Sequence, residues 1–188
     1  GSANNADGVS VAGLFGTVGT PASVTLGVGE TLTVTMDVNL TGGGGASAQF
    51  RLGVFNDGGQ FALDSDSTWS GGFLHVAGTG LFSSRTNGSF TSTAGNAVNL
   101  AAGDVTSGAY SADSADDYTF SMAITRDSAT TVDIVSSLTN SSYSNVYTKD
   151  DITTTNFTFT SAGLLFGGSM NLDQAAISSA QYNVTLVP

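Results

Sequence analysis

Thr31-Leu32-Thr33-Val34-Thr35-Met36-Asp37-Val38-Asn39-Leu40 decides the fold, because apolar residues hold every even position and polar residues every odd one. A period of two is typical of a β-strand with one face in a core and the other in water. The same alternation runs through residues 118–126 and returns over residues 132–138, which predicts a hairpin. Only residues 171–179 contain a pattern that could form a helical turn. The sequence therefore predicts an all-β protein.

The composition and the length agree with this prediction. The 188 residues include 25 Gly, 25 Ser and 25 Thr, which supply turns and half-buried pleated surfaces. About a dozen short strands need two packed sheets or a closed barrel, and a sandwich is the simpler solution. No composition shift marks a linker; the glycine run 42–45 is interpreted as a loop. We expect one antiparallel β-sandwich domain over residues 1–188.

The charge balance limits the partners. The formal net charge is −11, and the four cations are Arg51, Arg85, Arg126 and Lys149. A nucleic-acid interface needs clustered Lys and Arg, so nucleic acid is not expected as a partner. An acidic surface suits an exported protein and offers oxygen ligands to calcium.

The cysteine content and the search for targeting signals give little further information about function. The chain has no Cys, which removes disulfides and thiolate chemistry. No run approaches the ~20 apolar residues needed to cross a bilayer, so no membrane insertion is expected. No signal peptide is visible, and Gly1-Ser2 resembles a cloning remnant. The oligomeric state is left open by the sequence.

Three strand patterns resemble the concanavalin A-like jelly-roll superfamily, which includes legume lectins, laminin G-like modules and the laminarinase group. They lie at residues 29–38, 50–57 and 118–134 and cover about a fifth of the chain. The resemblance implies a two-sheet jelly roll and carries no site motif.

The last residues, Leu186-Val187-Pro188, resemble the point where a C-terminal Val-Pro-Glu-Pro (PEP-CTERM) sorting signal begins. An ordinary chain end is the alternative interpretation. The resemblance implies a secreted or cell-surface protein of a Gram-negative bacterium.

The sequence contains few of the residues that enzymes of this superfamily use for catalysis. Glycoside hydrolysis normally uses two carboxylates, and the laminarinase-like Glu-x-Asp-x-x-Glu pattern is missing, since the sole Glu is Glu30 in a turn. The polysaccharide lyases of the fold use Tyr, His and cationic groups. His75 is the sole imidazole, with Arg51 and Arg85 as candidate clamps, but a lone His in a strand is more often a packed or surface residue. No catalytic residue is predicted.

The candidate ligand site surrounds the only Trp. Sugar sites combine a flat aromatic face with polar groups that bond to hydroxyls, although Trp69 packed at the sandwich rim is the simpler alternative. The candidate ligand-binding residues are Asp64, Asp66, Trp69, Gly71, Gly72 and His75, with Arg51 and Arg85.

A calcium site is a second candidate, since Asp64 and Asp66 alternate as in calcium loops and Asp113, Asp116 and Asp117 form another acidic cluster. A solvated loop is the alternative at each position, and also at Asp150-Asp151. Calcium is the only cofactor considered.

These observations predict an exported surface or matrix module that binds carbohydrate or adheres, without catalysis, with extracellular polysaccharide as the partner. The alternatives are a polysaccharide lyase or glycoside hydrolase with an atypical site, and a purely structural matrix protein.

Overall fold

The computed structural model describes residues 9–17, 20–41, 49–56, 72–76, 81–85, 97–100, 104–105, 116–140, 144–167 and 174–186. Within these ranges every regular element is a β-strand. The strands are β1 (Val9–Leu14), β2 (Gly16–Thr17), β3 (Thr20–Pro21), β4 (Val24–Thr25), β5 (Glu30–Thr41), β6 (Gln49–Phe55), β7 (Gly72–Val76), β8 (Leu81–Arg85), β9 (Ala97–Leu100), β10 (Asp104–Val105), β11 (Asp116–Arg126), β12 (Thr131–Thr139), β13 (Ser144–Thr153), β14 (Thr158–Phe159), β15 (Ser161–Gly167) and β16 (Gln174–Leu186).

Twelve of these strands form two six-stranded antiparallel sheets. The first sheet has the order β1-β15-β6-β7-β8-β9, and the second has the order β10-β13-β12-β11-β5-β16. Strands distant in sequence are neighbours in both sheets, as in a jelly roll, while β7-β8 and β11-β12 are local hairpins. The predicted fold class, an antiparallel two-sheet jelly-roll sandwich, is confirmed.

The core lies between the two sheets and is filled by the even positions of the deciding strand. Leu32, Val34, Met36 and Val38 of β5 are at most 4% exposed, as the alternation predicts. Side chains from β11 and β12 continue the layer, and Leu52 and Val54 of β6 meet it from the first sheet. Fully burying one such side chain contributes roughly 1.5–3 kcal/mol, so this layer is a main source of stability.

One end of the sandwich is held by Arg126, the last residue of β11. Its guanidinium donates to the carbonyl oxygens of Leu26 at 2.8 Å and Ser128 at 3.0 Å. The same group lies 3.7 Å from the centroid of the Phe157 ring. The Arg126 side chain therefore connects the turn after β11 to the segments that contain Leu26 and Phe157.

The second sheet is bent at a β-bulge between β12 and β13. The register skips from Val132↔Ile152 to Ile134↔Lys149, so two residues of β13 face one of β12. Asp151 takes a left-handed backbone with φ 56, and its N–H donates to Asp133 Oδ1 at 2.9 Å. The Asp150-Asp151 pair therefore belongs to a structural irregularity of the strand.

The helical turn considered for residues 171–179 is wrong for its described part. Residues 174–179 belong to β16, and Gln174 to Ile177 pair with residues 38–41 of β5. Pairing with a long central strand outweighs the helix preference of adjacent Ala and Gln, because propensity differences are a few tenths of a kcal/mol per residue.

Candidate functional site

The solvent side of the second sheet carries a broad surface of small polar groups. The odd positions of β5, β11, β12 and the end of β16 point away from the core, because successive side chains of a strand alternate between faces. We call this surface the polar face. Its residues are Thr31, Thr33, Thr35, Asp37, Asn39, Asp117, Thr119, Ser121, Ala123, Thr125, Thr131, Asp133, Val135, Ser137, Thr139, Gln181, Asn183 and Thr185.

Hydrogen bonds between β5 and β11 order the polar face. Thr119 Oγ1 donates to Asp37 Oδ1 at 2.8 Å, and Asn39 Nδ2 donates to Asp117 Oδ1 at 2.7 Å. Further along the same strand pair, the hydroxyls of Thr31 and Thr125 are 2.8 Å apart. These bonds hold side chains in one geometry before any ligand arrives.

The acidic end of the polar face combines two carboxylates and one amide. Asp37 and Asp117 lie on adjacent strands, two residues apart in register, with Asn39 opposite Asp117. Asp117 is exposed and Asp37 and Asn39 are half-buried. A carboxylate accepts through two oxygens, so Asp117 keeps acceptor capacity beyond its bond to Asn39.

The polar face has no aromatic and no cationic side chain among the residues that define it. Its two apolar members, Ala123 and Val135, lie directly opposite each other near the middle, and Val135 is 42% exposed. This surface therefore offers hydrogen-bonding groups around a small apolar centre.

The described part of the first sheet places four of the predicted ligand residues by register. Gly72 and Arg85 are direct partners, so the structure brings these two positions together. His75 is opposite Leu52 in the register of β6 and β7. Arg51 is opposite Val76 in the same strand pair.

Arg51 and Arg85 occupy separate backbone positions in the first sheet. They are two strands and four register rows apart, roughly 16 Å by standard strand spacing. The arrangement of His75, Arg51 and Arg85 in a lyase-like site stays a prediction.

The remaining predicted site residues are only partly described. Asp64, Asp66, Trp69, Gly71 and Asp113 lie outside the described residues, and Asp116 is described as the first backbone position of β11. Within the described ranges, no three His, Cys, Asp or Glu side chains are placed to hold a metal ion. The calcium and Trp69 hypotheses stay predictions.

Glu30, the sole glutamate, has a structural position. Its Oε2 accepts the N–H of Gly27 at 2.7 Å, closing the turn that leads into β5. The carboxyl carbon would lie 3.3 Å from a Cβ built on Gly27, so the turn is tightly packed around it.

Sequence reasoning did not select Asp37, Asn39 or Thr119 as candidate ligand residues. The alternating pattern of residues 31–40 did indicate that Asp37 and Asn39 face water. The sequence alone does not show which strand pairs with β5, because Asp117 and Asn39 are 78 residues apart.

Comparisons with known proteins give distant structural similarities only. No protein-family model and no curated protein matches the chain. Sheep galectin-11 in complex with glycerol is 11% identical, with 89% of this chain and 100% of that chain covered and a TM-score of 0.40. A family 7 alginate lyase A1-II′ in complex with substrate is 10% identical, with 96% and 79% covered and a TM-score of 0.40.

A scytalido-glutamic peptidase with a transition-state analogue is 16% identical, with 88% of this chain and 79% of that chain covered and a TM-score of 0.34. Similarities at this level do not assign a family, so function is argued from the chain's own residues. In the described part of the chain, no helix has the length and apolar character to span a membrane.

Proposed function

We propose that this protein is an exported, non-catalytic surface module that binds neutral carbohydrate through the polar face. The observation that carries the proposal is the ordered set of hydroxyl, amide and carboxylate groups around Asp37, Asn39, Asp117 and Thr119. Sugar hydroxyls are both donors and acceptors, and this set offers both functions side by side.

The sheet geometry suits a repeating ligand. Neighbouring strands are about 4.8 Å apart and same-face residues of one strand about 6.7 Å apart, so equivalent groups recur at regular intervals. Because the side chains are already bonded to each other, little side-chain entropy is lost on binding. Individual contacts are weak, and an extended polysaccharide engages several of them at once.

Charge favours a neutral glycan over an acidic one. Asp37, Asp117 and Asp133 are the charged residues of the polar face, and the whole chain has a formal net charge of −11. A uronate polymer would meet like charge along this surface. Arg51 and Arg85 lie on the first sheet, away from the polar face.

The position of the sole glutamate supports the non-catalytic assignment. The carboxylate of Glu30 accepts the N–H of Gly27 and closes a turn. The enzyme alternatives are tested with neutral and uronate polysaccharides: turnover that disappears in His75→Ala establishes catalysis and contradicts the proposal.

Localisation and calcium complete the proposal. The acidic, Lys-poor composition supports export to the cell surface or matrix. Calcium binding by the Asp64 and Asp66 loop, beside Trp69, would add a second contribution to sugar binding. A melting temperature that is the same with calcium and with chelator removes the calcium component.

A glycan array, followed by titration with the best neutral glycan, tests the proposal. We expect Asp117→Ala to weaken binding about tenfold, since one charge-assisted hydrogen bond contributes roughly 1.5 kcal/mol. Asp150→Ala is the matched control, because Asp150 is also exposed but lies on β13 at the bulge. Its affinity is expected to equal that of the wild type.

The outcomes separate the alternatives. Loss of binding in Trp69→Ala with normal binding in Asp117→Ala places the site in the loop predicted from sequence and rejects the polar face. No binding to any glycan, with calcium or with chelator, rejects the carbohydrate function and favours a structural matrix protein.

A further inference from the structure

The last strand, β16, is a long sheet edge without charge. It runs for 13 residues from Gln174 to Leu186, is bonded to β5 along one side, and has no strand on its other side among the described elements. The other sheet edges are shorter: β1 has 6 residues, β9 has 4 and β10 has 2.

Exposed edge strands of this length normally carry features that prevent pairing with a strand of another chain. Lys, other charged residues, Pro or a bulge block the unpaired N–H and C=O groups from a second strand. β16 contains no Asp, Glu, Lys, Arg or Pro, and its one protective feature is a register shift between Ile177 and Ser179. Residues 179–186 pair with β5 without a register shift and offer an uninterrupted edge.

We propose that two copies of this chain associate antiparallel through β16, which joins their second sheets into one continuous twelve-stranded sheet. A two-fold axis beside the strand brings β16 against itself, so each copy supplies the same surface. This proposal does not depend on carbohydrate binding.

Charge explains why a second copy fits this edge. The chain carries a net charge of −11, so most of its surface would bring carboxylates together in a dimer. The exposed side chains of β16, Gln181, Asn183 and Thr185, are neutral and can bond to their own kind across the axis. Long-range repulsion between copies remains, so the dimer is expected to strengthen as salt screens it.

Sedimentation equilibrium of the full chain at low and high salt tests the proposal. We expect a dimer whose dissociation constant falls at high salt. The double variant Gln181→Lys/Asn183→Lys is expected to raise that constant about tenfold or more, since like charges opposite each other oppose strand pairing. Circular dichroism checks that the variant keeps its sheet structure.

A matched control lies one strand inward. Thr35 and Thr33 of β5 are the direct register partners of Gln181 and Asn183 on the same face. Thr33→Lys/Thr35→Lys introduces the same charge in the same rows but away from the edge, so its dimer is expected to equal that of the wild type or strengthen slightly as net charge falls. Equal disruption by both double variants overturns the proposal.

Mixing provides a second measurement that does not rely on one variant folding well. Gln181→Asp/Asn183→Asp alone is expected to be monomeric, and a mixture with the Lys variant is expected to form a heterodimer. Hydrogen exchange should slow in β16 on dimerisation. A wild type that stays monomeric at the highest soluble concentration and salt, or a dimer with unchanged exchange in β16, overturns the proposal.

Discussion

Replacing Arg126 tests how the end of the sandwich is held together. The guanidinium bonds to the carbonyls of Leu26 at 2.8 Å and Ser128 at 3.0 Å, with a longer contact of 3.4 Å to Ala129. It also covers the Phe157 ring at 3.7 Å from the centroid. Arg126→Met keeps an unbranched apolar stem but is shorter and removes every donor.

The magnitude follows from these contacts. Two good charge-assisted hydrogen bonds contribute roughly 1.5 kcal/mol each, and the cation–π contact at a half-buried site about 1 kcal/mol. The buried methionine stem offsets part of the loss, so we expect Arg126→Met to destabilise by about 2–4 kcal/mol. Arg126→Lys keeps the charge and one bond but loses the planar fork, and its expected cost is about 1–2 kcal/mol.

Urea unfolding measures both variants. The midpoint is expected to fall in the order wild type, Arg126→Lys, Arg126→Met, with an unchanged m-value. For a domain of this size the melting temperature falls by roughly 2–4 °C per kcal/mol. Lys149→Met removes the same charge from β13 and is expected to stay within about 0.5 kcal/mol of the wild type. An Arg126→Met variant as stable as Lys149→Met would refute the fastening role.

Three further predictions concern the bulge and the core. Asp151 has a φ of 56, so Asp151→Gly should raise the free energy of unfolding by up to about 1 kcal/mol. Asp151→Val should lower it by more than about 1 kcal/mol. Equal stability of the two variants by calorimetry contradicts this prediction. Asp133→Ala should cost about 1–2 kcal/mol through the lost bond to the Asp151 N–H, and faster exchange of that amide locates the effect. Phe120→Ala, at 0% exposure, should cost about 3–5 kcal/mol, whereas Val135→Ala, at 42% exposure, should change stability little; similar urea midpoints for the two contradict the assignment of faces.

The fold could be predicted from sequence where the pattern is local or strictly periodic. Residues 31–40 fixed the character of β5, and the hairpin of residues 118–126 with 132–138 needs only a short turn, so both were found. Residues 174–179 were not, because adjacent Ala and Gln carry no strand signal of their own. Their conformation comes from pairing with β5, more than 130 residues earlier in the chain.

The candidate site could be predicted only in part for the same reason. The alternation showed which residues of β5 face water, but a binding surface also needs the neighbours of that strand. The sequence predicts Asp117 in a metal cluster with Asp113 and Asp116, and this stays a prediction. The structure adds a hydrogen bond from Asn39 on the neighbouring strand, which proximity in the sequence does not indicate.

Salt dependence separates the two proposals, because they use the same sheet in different ways. A neutral glycan carries no charge, so salt has no charge–charge attraction to screen when it binds to the polar face. The affinity should therefore change little with ionic strength. Association through β16 brings two chains of net charge −11 together and should strengthen with salt. If the dimer forms, it places two polar faces on one continuous sheet, and a long polysaccharide that spans both would bind with avidity. Avidity for a long polysaccharide that appears only at high salt, while affinity for a short glycan is the same at low and high salt, would therefore show that both surfaces act in one assembly.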